Sequence, residues 1–184
     1  MMINKSDTVG GYVVGYAHET VRLYAYLLVG FLVPFTLGHP QELVGIVVNA
    51  TLILGALELS SYRQITPLLF APSIGVLARG LIFGPFTPFL AIMLPFIWIG
   101  NALLVWGIHE FNKKREINYG ITLGAFSVAK SGFLFSIAFL FVSLAILPPP
   151  FLAAMGMTQL ITAVAGGMLA FGLHKSGITR LARV

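Results

Sequence analysis

From Gln64 to Ile108 the chain carries a single formal charge, Arg79, and from Ile117 to His174 a single one, Lys130. Apolar stretches of this length constrain the fold more than any other feature. In water they would need a wide polar surface, and the composition cannot provide one. Of the 184 residues, 58% are hydrophobic and 9% charged, against about 25% charged in ordinary soluble domains. In a bilayer a helix needs about 20 mainly apolar residues to cross, which leaves room for six crossings with short connections. The expected fold is all-α: a polytopic membrane protein with six transmembrane helices, forming a single integral membrane domain over the whole chain. A transmembrane β-barrel does not fit. Barrel strands alternate apolar and polar residues over about ten positions, whereas the run FLFSIAFLFVSLAIL at 133–147 is apolar on every side.

Breaker residues set the boundaries. The spans are expected at about 22–37, 41–59, 64–83, 87–108, 119–147 and 151–173. They are separated by Gly38-His39-Pro40, Ser60-Ser61, Gly84-Pro85, the charged segment at 113–116, and Pro148-Pro149-Pro150. Pro72, Pro88 and Pro95 predict kinks in spans 3 and 4. Residues 1–20 lack the continuous apolar core of a signal peptide and read as a cytoplasmic tail or an interfacial segment. Residues 174–184 read as a basic tail.

The basic residues fix an orientation. Lys5, Arg22, Arg63, Lys113, Lys114, Arg115, Lys175, Arg180 and Arg183 all fall on one side of the six-span arrangement, and the alternate loops carry none. The positive-inside rule then predicts both termini in the cytoplasm (N-in/C-in) of a multi-pass protein of the cell membrane. It also accounts for the net charge of +5 without nucleic acid as a partner.

Within this frame the polar residues acquire depths. Gln41 and Asn49 fall in the outer half of span 2, Arg79 in the outer part of span 3, and Gln159 in the outer half of span 6. Lys130 is near the middle of span 5, and Asn101 lies deeper in span 4. A lone charge in a lipid-spanning segment costs several kcal/mol unless it faces a cavity, a partner or a ligand. Arg79 has a possible escape, since its long side chain can snorkel to the headgroups. Lys130 is beyond comfortable reach of either surface, and its alternative is an internal pair with Glu58. Asn49 and Asn101 also fit a packing role, bonding a neighbouring helix. Two internal cations without internal acids favour an anionic ligand.

Enzyme constellations are missing. There is no HExxH, no GxSxG, no cysteine and no carboxylate pair within a span, and the four histidines lie at segment ends without metal-ligand spacing. No catalytic residues, metal or cofactor are expected.

Several motifs carry a family resemblance: the Pro40-Gln41 start of span 2, the Gly45-xx-Val48-Asn49-Ala50 core, the run from Pro72 to Leu77-Ala78-Arg79-Gly80, Pro95-Phe96-Ile97-x-Ile99-Gly100-Asn101, and Thr158-Gln159-Leu160 with Thr162-Ala163 and Gly166-Gly167. In this order, over about residues 30–170, they resemble the substrate-binding S components of energy-coupling factor (ECF) transporters. The resemblance implies a six-helix bundle that binds a vitamin-like or other small nutrient near its outer face. It implies as partners a membrane coupling subunit and two cytoplasmic ATPases. It also points to His39, Gln41, Arg79, Thr87, Lys130 and Gln159 as ligand contacts, with Asn49 and Asn101 on matching motifs. The competing expectation is a non-transporting membrane scaffold within a larger complex.

Overall fold

A computed structural model describes residues 5–37, 40–80 and 86–177 of the chain. Among them every regular element is helical. The helices are α1 (Lys5–Thr36), α2 (Gln41–Glu58), α3 (Tyr62–Arg79), α4 (Thr87–Gly107), α5 (Tyr119–Ser143), α6 (Pro150–Met155) and α7 (Met157–Ser176). A π-helical segment, Ile108–Lys114, continues α4. With α6 and α7 counted as one interrupted pass, the described residues make six helical passes. Four are long and apolar enough to cross a membrane: Gln41–Glu58, Thr87–Lys114, Tyr119–Ser143 and Pro150–Ser176.

Several boundaries differ from those expected, each for a local reason. α1 begins at Lys5, well before Arg22, so the stretch placed outside span 1 is continuous with it. Pro88 lies in the first turn of α4, where its missing N–H is not needed, so it starts the helix without kinking it. α5 stops at Ser143, before Leu147, because Ala145 takes a left-handed conformation with φ 56°. The last pass is broken at Gly156 (φ −95°, ψ −95°), which separates α6 from α7.

Caps sharpen two other starts. Ser61 accepts from Arg63 N–H at 3.2 Å, and Gln64 Oε1 accepts from Ser61 N–H at 3.4 Å, a capping box that opens α3. Asn118 Oδ1 accepts from Gly120 and Ile121 N–H at 2.9 and 3.3 Å and opens α5.

The passes assemble through α2 against α7, α1 against α3, and α4 against α5. Close helix approach requires small residues at the crossing points. At Gly75 a Cβ would lie 2.3 Å from the Phe31 carbonyl oxygen of α1, and at Gly166 it would lie 2.6 Å from the Ile46 carbonyl oxygen of α2. Any side chain at either position would push a backbone away.

Charge gathers at one end of the bundle. Glu58, at the end of α2, accepts from Tyr26 Oη at 2.6 Å and lies 3.0 Å from His174 Nδ1 and 3.6 Å from Arg22 Nε. Its carboxylate therefore joins α1, α2 and α7. Glu110 holds Lys114 at 2.9 Å and accepts from Tyr62 at 3.3 Å. The π-helical segment brings His109 Nδ1 within 2.9 Å of the Ala56 carbonyl and lets Lys113 bond that of Leu59. These are carbonyls that the last turn of α2 leaves without helical partners. Outward-facing apolar side chains recur at helical spacing along the passes: Tyr24, Leu28, Leu32 and Phe35 on α1, Phe70, Ile74 and Leu77 on α3, and Ile121, Val128, Phe135 and Phe139 on α5.

Candidate functional site

The end of the bundle opposite the charged clasp holds a cavity of about 120 Å³, mostly apolar in its walls but collecting several polar side chains, to which every pass contributes. Pro34 comes from α1 and Ser73 from α3, while Gln41, Gly45 and Asn49 line one face of α2. Asn101 comes from α4 and Lys130 from α5. Met155 belongs to α6, and Thr158, Gln159 and Thr162 to α7. Val44, Val48, Val76, Leu90, Leu94 and Ile97 supply apolar wall.

Lys130 is the chemical centre of this cavity. Its side chain is the largest fully buried one, at 1% exposure. The ammonium donates to Asn49 Oδ1 at 2.6 Å, which is its one hydrogen-bond acceptor among the described residues. The Asn49 amide is oriented from its other end, where Nδ2 donates to the Gly45 carbonyl at 2.9 Å and to Thr162 Oγ1 at 3.3 Å. Asn49 is thereby fixed with its oxygen toward the lysine. The aliphatic stem of Lys130 passes Gly100 of α4, where a Cβ would lie 3.4 Å from its Cγ, so a small residue on the facing helix makes room for the stem. Glu58, the one acid considered as an internal partner, sits in the clasp at the opposite end and makes no pair with Lys130.

Five of the eight expected site residues share this cavity: Lys130, Asn49, Asn101, Gln41 and Gln159. Three do not. Arg79 lies at the same end of the bundle but off the cavity, and its guanidinium donates to the carbonyls of Phe35 and Thr36 at 3.2 and 2.7 Å. It caps the C-terminus of α1, where carbonyls without helical partners and the negative end of the helix dipole favour a cation. Thr87 is the first residue of α4 and does not line the cavity. His39 lies outside the described residues. Because its contacts are local, Arg79→Gln is expected to cost about 1 kcal/mol or less and to leave ligand affinity within twofold. Melting and binding measured on the same preparation check this.

The sequence alone did not single out Ser73, Met155, Thr158 or Thr162 as lining residues. A signal exists in spacing: Gln41, Gly45 and Asn49 recur every fourth residue on α2, as do Thr158, Thr162 and Gly166 on α7. In the fold these two small and polar stripes meet face to face, Gly45 against Thr162 and Gly166 against Asn49. Ser73 also accepts from Trp98 Nε1 at 2.8 Å, which ties an indole to the cavity wall.

Comparison with protein-family models, with curated proteins and with solved structures returns no match.

Proposed function

We propose that this protein is a six-span membrane protein that binds a small anionic nutrient in the cavity around Lys130, as the substrate-binding subunit of an uptake system. One observation carries the reading. Among the described residues a fully buried ammonium has one acceptor, the neutral Asn49, and it borders a cavity that collects polar side chains. An ammonium has three N–H donors, and a buried charge without a counter-charge is costly. A ligand carboxylate supplies both the missing acceptors and the missing charge.

The membrane setting rests on the four long apolar helices and on the outward apolar stripes of α1 and α3. Soluble monomers rarely expose continuous apolar surface on this scale, and lipid is its natural solvent. With the clasp end carrying Arg22, Arg63, Lys113, Lys114, Arg115 and Lys175, the positive-inside rule favours that end in the cytoplasm. The cavity then belongs to the outer half, accessible to a solute from outside. The S-component likeness suggests that an ATPase module drives uptake through a membrane coupling subunit. The scaffold reading is weaker, because a purely structural lysine would be matched by an acid or replaced by an apolar residue.

Native mass spectrometry of the protein extracted from its own membranes tests the reading. The expected spectrum contains a retained small acid that dissociates on activation as an anion. Exclusively ligand-free protein from membranes exposed to a complex nutrient mixture would contradict it.

A further inference from the structure

A second cavity, of about 220 Å³, adjoins the first, and the two share Gln41, Leu90 and Met155 as wall. Both are mostly apolar in lining surface, but their lining side chains differ. The inner cavity collects the ammonium of Lys130, three further amides and the hydroxyls of Ser73, Thr158 and Thr162. The outer one is bounded by Phe86, Phe151, Pro150 and Ala154, and among the described residues its one polar side chain is the shared Gln41. Phe151 packs edge-on to Phe86 and to Phe89, with ring centroids 6.3 Å apart in each pair, so the aromatic wall is built into the packing of α4 against α6.

We infer that the ligand is an amphipathic monocarboxylic acid, its carboxylate on Lys130 in the inner cavity and an apolar, ring-sized group in the outer one. The inference rests on the anion-binding reading above and extends it to the rest of the molecule bound. Among the described residues a second anionic group finds no free cation. Arg79 is engaged with the α1 carbonyls, and among the described residues the outer cavity offers no cation to a desolvated charge. A short acid such as propanoate reaches only the inner cavity and leaves the larger outer compartment unused. Burying a phenyl-sized group there contributes in proportion to the apolar area removed from water. Met155 and Leu90 stand where the two compartments meet, and the helix break at Gly156 directly after Met155 lets α6 take its own direction over the outer one.

Calorimetric titration of the full-length protein in lipid nanodiscs with propanoate, 3-phenylpropanoate, succinate and 3-phenylpropan-1-ol tests this. We expect 3-phenylpropanoate to bind at least tenfold more tightly than propanoate, with succinate and the alcohol each at least tenfold weaker than 3-phenylpropanoate. Ala154→Phe, which fills the outer compartment, is expected to bring the phenylpropanoate-to-propanoate ratio close to one. Propanoate and 3-phenylpropanoate binding within threefold of each other would overturn the two-compartment inference while leaving the anion site standing. So would an unchanged ratio in Ala154→Phe. If the alcohol binds as tightly as the acid, or if none of the four binds, the anion reading itself falls.

Discussion

Lys130→Met is expected to weaken binding of a carboxylate by about 100-fold or more, while the protein still folds and melts close to the parent. Losing one partner of a buried, hydrogen-bonded charge pair costs about 2–5 kcal/mol of affinity, and 2.8 kcal/mol is already a factor of about 100. The effect on the ligand-free protein differs, because methionine keeps the length of the side chain and removes a charge that has no acid beside it. Asn49 Oδ1 loses its donor, at about 1–3 kcal/mol, but the desolvation of the ammonium is relieved at the same time. The two terms oppose each other. A scaffold role for Lys130 predicts the reverse pattern, with a large fall in stability and no ligand effect. Titration of both proteins with carboxylate probes, beside their thermal unfolding, separates the two.

Gly166→Ala is expected to cost about 1–3 kcal/mol of stability and to weaken carboxylate binding as well. The new methyl group would meet the Ile46 carbonyl oxygen at 2.6 Å, Asn49 Cβ at 2.8 Å and the Ala50 nitrogen at 2.9 Å. Two of these three are backbone atoms that cannot rotate aside, so α7 must move away from α2. Thr162 and Asn49 then separate, and the amide that orients the Lys130 ammonium loses its second anchor. Gly172→Ala on the same helix is the control, since nothing lies within 4 Å of its Cβ position. It is expected to be neutral, or slightly stabilising through the lower helix propensity of glycine. Chemical or thermal unfolding of the three proteins in one detergent, with propanoate titrations alongside, checks both statements. Equal stability of the two variants would mean that α2 and α7 do not cross at Gly166.

The sequence made the all-helical fold legible because unbroken apolar runs such as 133–147 admit no other regular structure. It also made Lys130 legible, because a charge at mid-span has no ordinary explanation. Arg79 is equally visible as a charge, yet the sequence suggests a ligand contact where the fold shows a helix cap. Its depth follows from position along α3, while its partner follows from how α3 is rotated against α1, which no run of residues encodes. The same limit hides the Glu58 clasp. Tyr26, Glu58 and His174 lie on three helices, and each alone reads as a residue near a span end. The break at Gly156 escaped because Met155-Gly156-Met157 continues an apolar run and carries no proline. The α2–α7 seam, by contrast, was readable in part. Gly45 and Asn49, and Thr162 and Gly166, already stood out as motifs, though only the packing reveals that they face each other.

On the proposed function, the Lys130 ammonium holds an anion inside the bundle. Solid-state nuclear magnetic resonance tests it directly, with ¹⁵N on the lysine side chains and [1-¹³C]propanoate as ligand in lipid. A charge-assisted N–H···O contact sets the carboxyl carbon within about 4 Å of Nζ, a separation that dipolar recoupling reads as strong dephasing. The account predicts that dephasing in the parent protein and its loss in Lys130→Met. Saturable propanoate binding without dephasing, or dephasing that survives Lys130→Met, would contradict it.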